Sequence, residues 1–244
     1  MAGNEKVILD AGHGGDEPGA IYNGRKEKDD TLRLTLAVGR ILEENGVSTL
    51  YTRTTDVYNS PQEKAEIANR SGADLFISIH RNAMPVPGTG RGASVLVYED
   101  SGIAAVLAEN ILKNLVQLGF KDQGIVERPG LVVLRKTQMP AVLVEVGFID
   151  SPVDNAFFDR NFDAIAKGHS GWDIEYFTGT EWSSATFIIR FRQVHLKIGQ
   201  KPWGWRKNCS LPVSLFLLCM MKVYIRFVWE HFQRWKMGSA WNKM

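Results

Sequence analysis

The run Ala141-Val142-Leu143-Val144-Glu145-Val146 constrains this chain most. It is almost continuously apolar and does not alternate. A strand of that kind is buried on both faces, which happens in parallel sheets covered by helices. Lys6–Asp10 has the same character and reads as a first strand. Further strands are expected at Val47–Thr52, Asp74–His80, Ala93–Tyr98 and Leu131–Leu134.

Helical signals lie between these runs. Leu34, Ala37, Val38, Ile41 and Leu42 fall on one helical face, with Asp30 as the expected cap and Gly46 as the stop. Ser60-Pro61-Gln62-Glu63 carries a cap, a first-position proline and an acid at the third position, which predicts a capping box. Gly72 ends that helix. Ile103–Leu118 and roughly Asn155–Ala166 complete the set. Strands alternating with helices predict an α/β fold. It is a single domain with a mostly parallel twisted sheet of about six strands, flanked by helices on both faces.

The 244-residue chain, 44% hydrophobic, is long enough for one such domain and an appendage. Its net charge of +2 conceals a break. Residues 1–177 carry 18 Lys+Arg against 25 Asp+Glu, hence −7, whereas residues 178–244 carry 11 against 2, hence +9. The second part also holds six of the seven Trp and both Cys. The domain is therefore expected to end near residue 170, and residues 171–244 to be an irregular tail. No run reaches the length of a membrane span, so no stable membrane insertion is expected. Cys209 and Cys219 define neither a disulfide framework nor a CxxC metal site. The N-terminus lacks the pattern of a secretory signal.

Chemistry-bearing residues stand at or just after the strand ends. His13 lies in Gly12-His13-Gly14-Gly15, directly after the first strand. A phosphate-cradling loop is the alternative, but GxGxxG and GKS/GKT patterns are missing and no helix starts there. Glu27 lies in a charged stretch, and taken alone a solvated helix start is the better explanation of it. His80 ends a strand whose inner positions are apolar, and the polar Arg81 and Asn82 follow. Glu145 sits inside the most apolar run. A carboxylate there is costly unless paired, protonated or close to a metal, and its raised pKa suits a general base. Asp10 could orient the His13 ring or cap the loop.

With these motifs in order and at normal spacing, residues 5–170 closely resemble the zinc-dependent N-acetylmuramoyl-L-alanine amidases of the amidase-3 type. Arg53-Thr54, Asn69 with Ala73-Asp74, and Met139-Pro140-Ala141 add to the match. The resemblance implies that His13, Glu27 and His80 bind Zn2+ and that Glu145 is catalytic. The implied reaction is hydrolysis, by zinc-activated water, of the amide joining N-acetylmuramic acid to L-alanine of the stem peptide. Other zinc peptidoglycan hydrolases (a carboxypeptidase or deacetylase) and a non-enzymatic wall-binding protein are the alternatives. Asn82 and Arg81 are candidate substrate contacts.

The expected partner is peptidoglycan, as a muramoyl-peptide, with no nucleic acid, and the protein is expected to be a monomer. Its site of action is the cell wall, reached at mother-cell lysis or by phage release. The tail offers two readings: a basic aromatic segment that grips wall polymer or a membrane surface, or an out-of-frame translation. With permitted codons and a shifted frame, 187–200 and 222–242 both read like the opening strand of sporulation-related (SPOR) peptidoglycan-binding repeats. The second is the expectation adopted here.

Overall fold

The computed structural model describes residues 6–170. The expectations for residues 171–244 lie outside them. Six strands form one sheet: β1 (Lys6–Ala11), β4 (Ser48–Tyr51), β5 (Leu75–Asn82), β6 (Ala93–Val97), β7 (Asp122–Glu127) and β8 (Ala141–Phe148). A short hairpin of β2 (Ile21–Tyr22) and β3 (Arg25–Lys26) stands apart from it. The helices are α1 (Glu27–Glu44), α2 (Pro61–Ser71), α3 (Gly102–Leu118), α4 (Val132–Lys136), α5 (Pro152–Arg160) and α6 (Phe162–Ser170).

The sheet order is β4-β1-β5-β8-β6-β7. All pairings are parallel except β6 with β8. Both faces are covered, as the apolar runs require. On one face Val7, Leu9, Ile77, Ile79, Val142 and Val144 pack with Leu34 and Val38 of α1, Ile111 and Leu115 of α3, and Ile165 of α6. On the other, Ile8, Phe76 and Leu143 pack with Ala68 of α2 and Val133 and Leu134 of α4.

Chain direction places the candidate residues. β1 leads through α1 to β4 on one side, whereas β5 leads to β6 on the other. Adjacent strands whose connections diverge open a crevice at their carboxyl ends, where ligands bind in open α/β sheets. His13 follows β1 and His80 is near the end of β5, so the two flank that crevice.

Several local expectations hold. The Ser60 side chain accepts from the Glu63 N–H and the Glu63 carboxylate accepts from the Ser60 N–H, closing the capping box. Gly72 ends α2 in the left-handed conformation. Others are corrected. Leu131–Leu134 is not a strand: the apolar run forms helix α4, and the sixth strand is β7. Asp30 does not cap α1, which begins three residues earlier at Glu27. Backbone satisfies that helix start, because the N–H groups of Glu27 and Lys28 donate to the carbonyls of Ala20 and Pro18. The last helical segment is two helices, broken at Asn161.

Candidate metal centre

His13 occupies a left-handed conformation, φ 61°, in the loop that leaves β1. Cations hold that loop. The Ala11 carbonyl accepts from Arg53 Nε (3.1 Å) and Lys64 Nζ (2.7 Å). The Gly12 carbonyl accepts from Arg53 Nη2 (2.9 Å) and Thr31 Oγ1 (2.8 Å), and the Gly15 carbonyl from Lys28 Nζ (2.7 Å). With the carbonyls so anchored, the His13 side chain is turned toward the first residue of α1.

That residue is Glu27, and its carboxylate joins two imidazoles. Oε2 lies 2.9 Å from His13 Nε2, and Oε1 lies 2.9 Å from His80 Nδ1. Backbone donors complete its bonding: Ala20 N–H to Oε2 and Arg81 N–H to Oε1, each at 3.0 Å. Burial alone would raise the Glu27 pKa, but the two imidazoles outweigh it and hold the carboxyl well below its usual range. The donor atoms of His13, Glu27 and His80 all lie within 4.8 Å of one another.

Two glycines give the rings their room. A Cβ on Gly12 would stand 2.5–2.7 Å from three atoms of the His80 ring. One on Gly19 would stand 2.5 Å from His13 Cδ2 and 2.6 Å from Glu27 Oε2. Any side chain at either place would displace an imidazole.

Glu145 stands opposite His80 in the β5–β8 pairing, so both side chains leave the same face of the sheet. Burial pushes its carboxyl up to about 7, and the neighbouring Glu27 charge adds to that; His80, His13 and Arg81 oppose it. Its Oε2 is buried without a hydrogen-bond partner. One carboxylate at this centre is thus held ionised while its neighbour is poised to carry a proton, which is the usual mark of separate acid–base roles. Two neutral imidazoles and an anionic carboxylate also form a donor set suited to zinc or a similar divalent transition metal. The bare Glu145 oxygen beside them fits a water or substrate atom bound there.

The other sequence candidates separate. Asn82 ends β5 on the His80 side and is half-buried, and its Oδ1 accepts from the Ala83 N–H. Arg81 points to the opposite face and is only 2% exposed. Its guanidinium donates to Asp30 (2.6 Å), to Asn155 (2.8 Å) and to the Phe148 carbonyl (3.4 Å), and lies 4.1 Å over the Phe158 ring. Arg25 donates to the same Asp30 and, farther out, to Asp159. Arg81 therefore ties β5 to α1, to the end of β8 and to α5, while its Nε is buried without a hydrogen-bond partner.

Asp10 is also committed elsewhere. Thr52 and Ser78 each donate to it at 2.6 Å, and Lys64 lies 2.9 Å away. Burial would raise its pKa, but Lys64 and the two hydroxyls hold it below its ordinary value. The acid that touches His13 on its other nitrogen, Nδ1, is Glu17. It stands four residues beyond the histidine in a loop, where spacing carries no helical meaning, so only its proximity to a candidate ligand marked it.

A covered, mostly parallel sheet with two imidazoles and two unlike carboxylates at its carboxyl edge defines an α/β protein with a donor group that could hold a metal ion. The chain belongs to the amidase-3 family, described as N-acetylmuramoyl-L-alanine amidase, whose profile matches residues 7–170.

Individual relatives agree. The chain is 39% identical over 171 residues to a sporulation-specific N-acetylmuramoyl-L-alanine amidase of Bacillus subtilis, covering 68% of this chain and 65% of that protein. It is 38% identical to an endolysin of Bacillus phage SPP1, over 67% of this chain and 63% of the endolysin. The chain thus spans somewhat less than two thirds of the length of these two relatives. Among solved structures, an N-acetylmuramoyl-L-alanine amidase from Clostridium difficile 630 superposes with a TM-score of 0.67 at 30% identity. That match covers 72% of this chain and 98% of the other.

Proposed function

We propose that residues 7–170 form a catalytic domain that cleaves peptidoglycan at the amide between N-acetylmuramic acid and the first L-alanine of the stem peptide. The observation that carries this is Glu145. It is an apolar-strand carboxyl raised to about 7, with a bare buried oxygen, side by side with a His/Glu/His donor set. A carboxyl titrating near neutrality can both accept and return a proton.

His13, Glu27 and His80 would hold zinc. When bound, that ion would supply Lewis acidity and make a nearby water a better nucleophile at neutral pH. The chain's own residues supply the rest. Glu145 takes the proton of the attacking water at its carboxylate. It returns that proton to the nitrogen of L-alanine as the amide C–N bond breaks, leaving a lactyl carboxylate and a free amine. Glu27 stays ionised throughout, because both its oxygens are engaged by nitrogen donors. Asn82, on the same strand face as His80, would touch the substrate, whereas the bonds of Arg81 support a scaffold role.

Peptidoglycan is the substrate and the cell wall the site of action. Sporulation and phage release are the two settings the relatives' names suggest. Among the described residues no helix is long and apolar enough to cross a membrane.

Mass spectrometry of a peptidoglycan digest tests the reading. New N-terminal L-alanine with intact glycan is expected. Release of D-alanine or of acetate instead would replace it with a carboxypeptidase or a deacetylase, and no release at all would leave a wall-binding protein.

A further inference from the structure

We infer that Glu17 is a positioning residue for His13: its carboxylate takes the hydrogen on Nδ1 and so presents Nε2 to Glu27 and to the ion site. The inference rests on the metal-site reading above, and it concerns a residue that reading leaves without a role.

Glu17 is itself held in place. Its N–H donates to the Gly14 carbonyl (3.0 Å) and its carbonyl accepts from the Gly14 N–H (2.9 Å), closing the loop one residue beyond His13. Its Oε1 accepts from the Gly19 N–H at 3.1 Å, which leaves Oε2 for His13 Nδ1. The imidazole is therefore gripped on three sides: Glu17 at Nδ1, the bare Gly19 backbone against Cδ2, and Glu27 at Nε2.

His80 is built differently. It turns Nδ1, not Nε2, toward Glu27, and the flat Gly12 backs its ring. Among the described residues, Glu17 is the only carboxylate besides Glu27 bonded to either ring. The difference follows from where the two residues sit. His80 belongs to a strand buried between two others, and its backbone is fixed by sheet pairing. His13 sits in a loop at positive φ, where the sheet no longer sets the ring. An acceptor behind the ring supplies what the strand supplies to His80. Carboxylates in this position on a metal-binding imidazole fix its tautomer, and removing them weakens metal binding about 10–100-fold.

Glu17 is 48% exposed, so its pairing with His13 contributes little to folding stability. That separates a positioning role from a structural one. The experiment uses the full chain, stripped of metal and titrated with zinc alone against a chromophoric chelator. Glu17→Ala should raise the zinc dissociation constant about 10–100-fold while leaving the melting temperature of the metal-free protein unchanged. Glu17→Gln retains an acceptor and should lose clearly less than Glu17→Ala. A Glu17→Ala protein that binds zinc as tightly as the parent would overturn the inference. So would one whose affinity loss is matched by a loss of fold. Imidazole 15N NMR of metal-free protein reads the contact separately: the hydrogen-bonded Nδ1–H signal of His13 should be present in the parent and lost in Glu17→Ala. Its persistence would also overturn the inference. A parent that shows the signal but binds no zinc would sink the metal reading alone.

Discussion

Two clusters of buried charge meet at the end of β5, one on each face. On the crevice face stand His13, His80, Glu27 and Glu145; on the other stand Arg81, Asp30, Arg25 and Asp159. Both mix nitrogen donors and carboxylates, and apart from Asp159 their members are buried or half-buried. They differ in balance. In the second cluster each carboxylate meets guanidinium groups, and Arg81 also finds an amide and a carbonyl. In the first, the two carboxylates are pushed in opposite directions, and one oxygen of Glu145 has no hydrogen-bond partner. A network whose carboxylates are all matched by guanidinium groups is scaffold, even with one buried donor, Arg81 Nε, left without a partner. One with an unmatched carboxylate is poised to bind or to move a proton, and its incompleteness is paid for by the frame around it.

Experiments can break that contrast. The largest effect should come from removing metal: chelation abolishes hydrolysis of muropeptides, and added zinc restores it. Glu145→Gln should come next, with turnover lower by about 10²–10⁴-fold, zinc stoichiometry retained and thermal stability preserved. A Glu145→Gln protein with near-normal turnover would move that residue into the scaffold class. Arg81→Met should act the other way. It removes one partner of a buried pair and should cost at most about 3–5 kcal/mol of stability, less if Arg25 continues to neutralise Asp30. In the protein that remains folded, KM should stay near that of the parent. A KM that rises with stability intact would return Arg81 to the substrate.

The smallest effect is a difference in sign with pH. Glu145 is raised in the folded, metal-free protein from 4.5 to about 7. Its contribution to stability is fully present below 4.5 and is lost as pH rises through about 7. Asp10 is depressed below 3.8, so its contribution is present above 3.8 and is lost as pH falls through the lower folded value. Urea titrations of metal-free protein should show the Glu145 decline flattened by Glu145→Gln. The acid-side loss should survive that substitution and weaken in Asp10→Asn.

Legibility in the sequence followed the range of the signal. The α2 capping box needs only four adjacent residues, and β1 and β8 needed only an unbroken apolar run. His13 and His80 drew notice because each stands at or just after the end of an apolar strand, whereas Glu27, in a charged helix start, was marked only by the family resemblance. β7 was hidden because it is an edge strand, Asp-Gln-Gly-Ile-Val-Glu, half-exposed and interrupted by Gly124. The short run after Leu131 looked like a strand because so few apolar residues carry no period. The setting of Arg81 was hidden by a strand boundary. Ending β5 at His80 left the arginine in a cleft, whereas the observed strand continues to Asn82, and alternation then sends Arg81 through to the other face. Asp30 was taken for a cap because nothing local reveals that Arg25 and Arg81 would converge on it.

The sheet order also has a consequence in time. β1 pairs with β5, which lies more than sixty residues later, and β5 pairs with β8 at a similar remove. Contacts this distant in sequence close slowly, because a long loop must be ordered before any pairing rewards it. Until Ala141–Phe148 docks, His80 has no Glu145 beside it. On a ribosome the His/Glu/His group can assemble first, and Glu145 arrives only when the last strand of the sheet has emerged. The candidate site is therefore expected to be completed only after β8 joins the sheet.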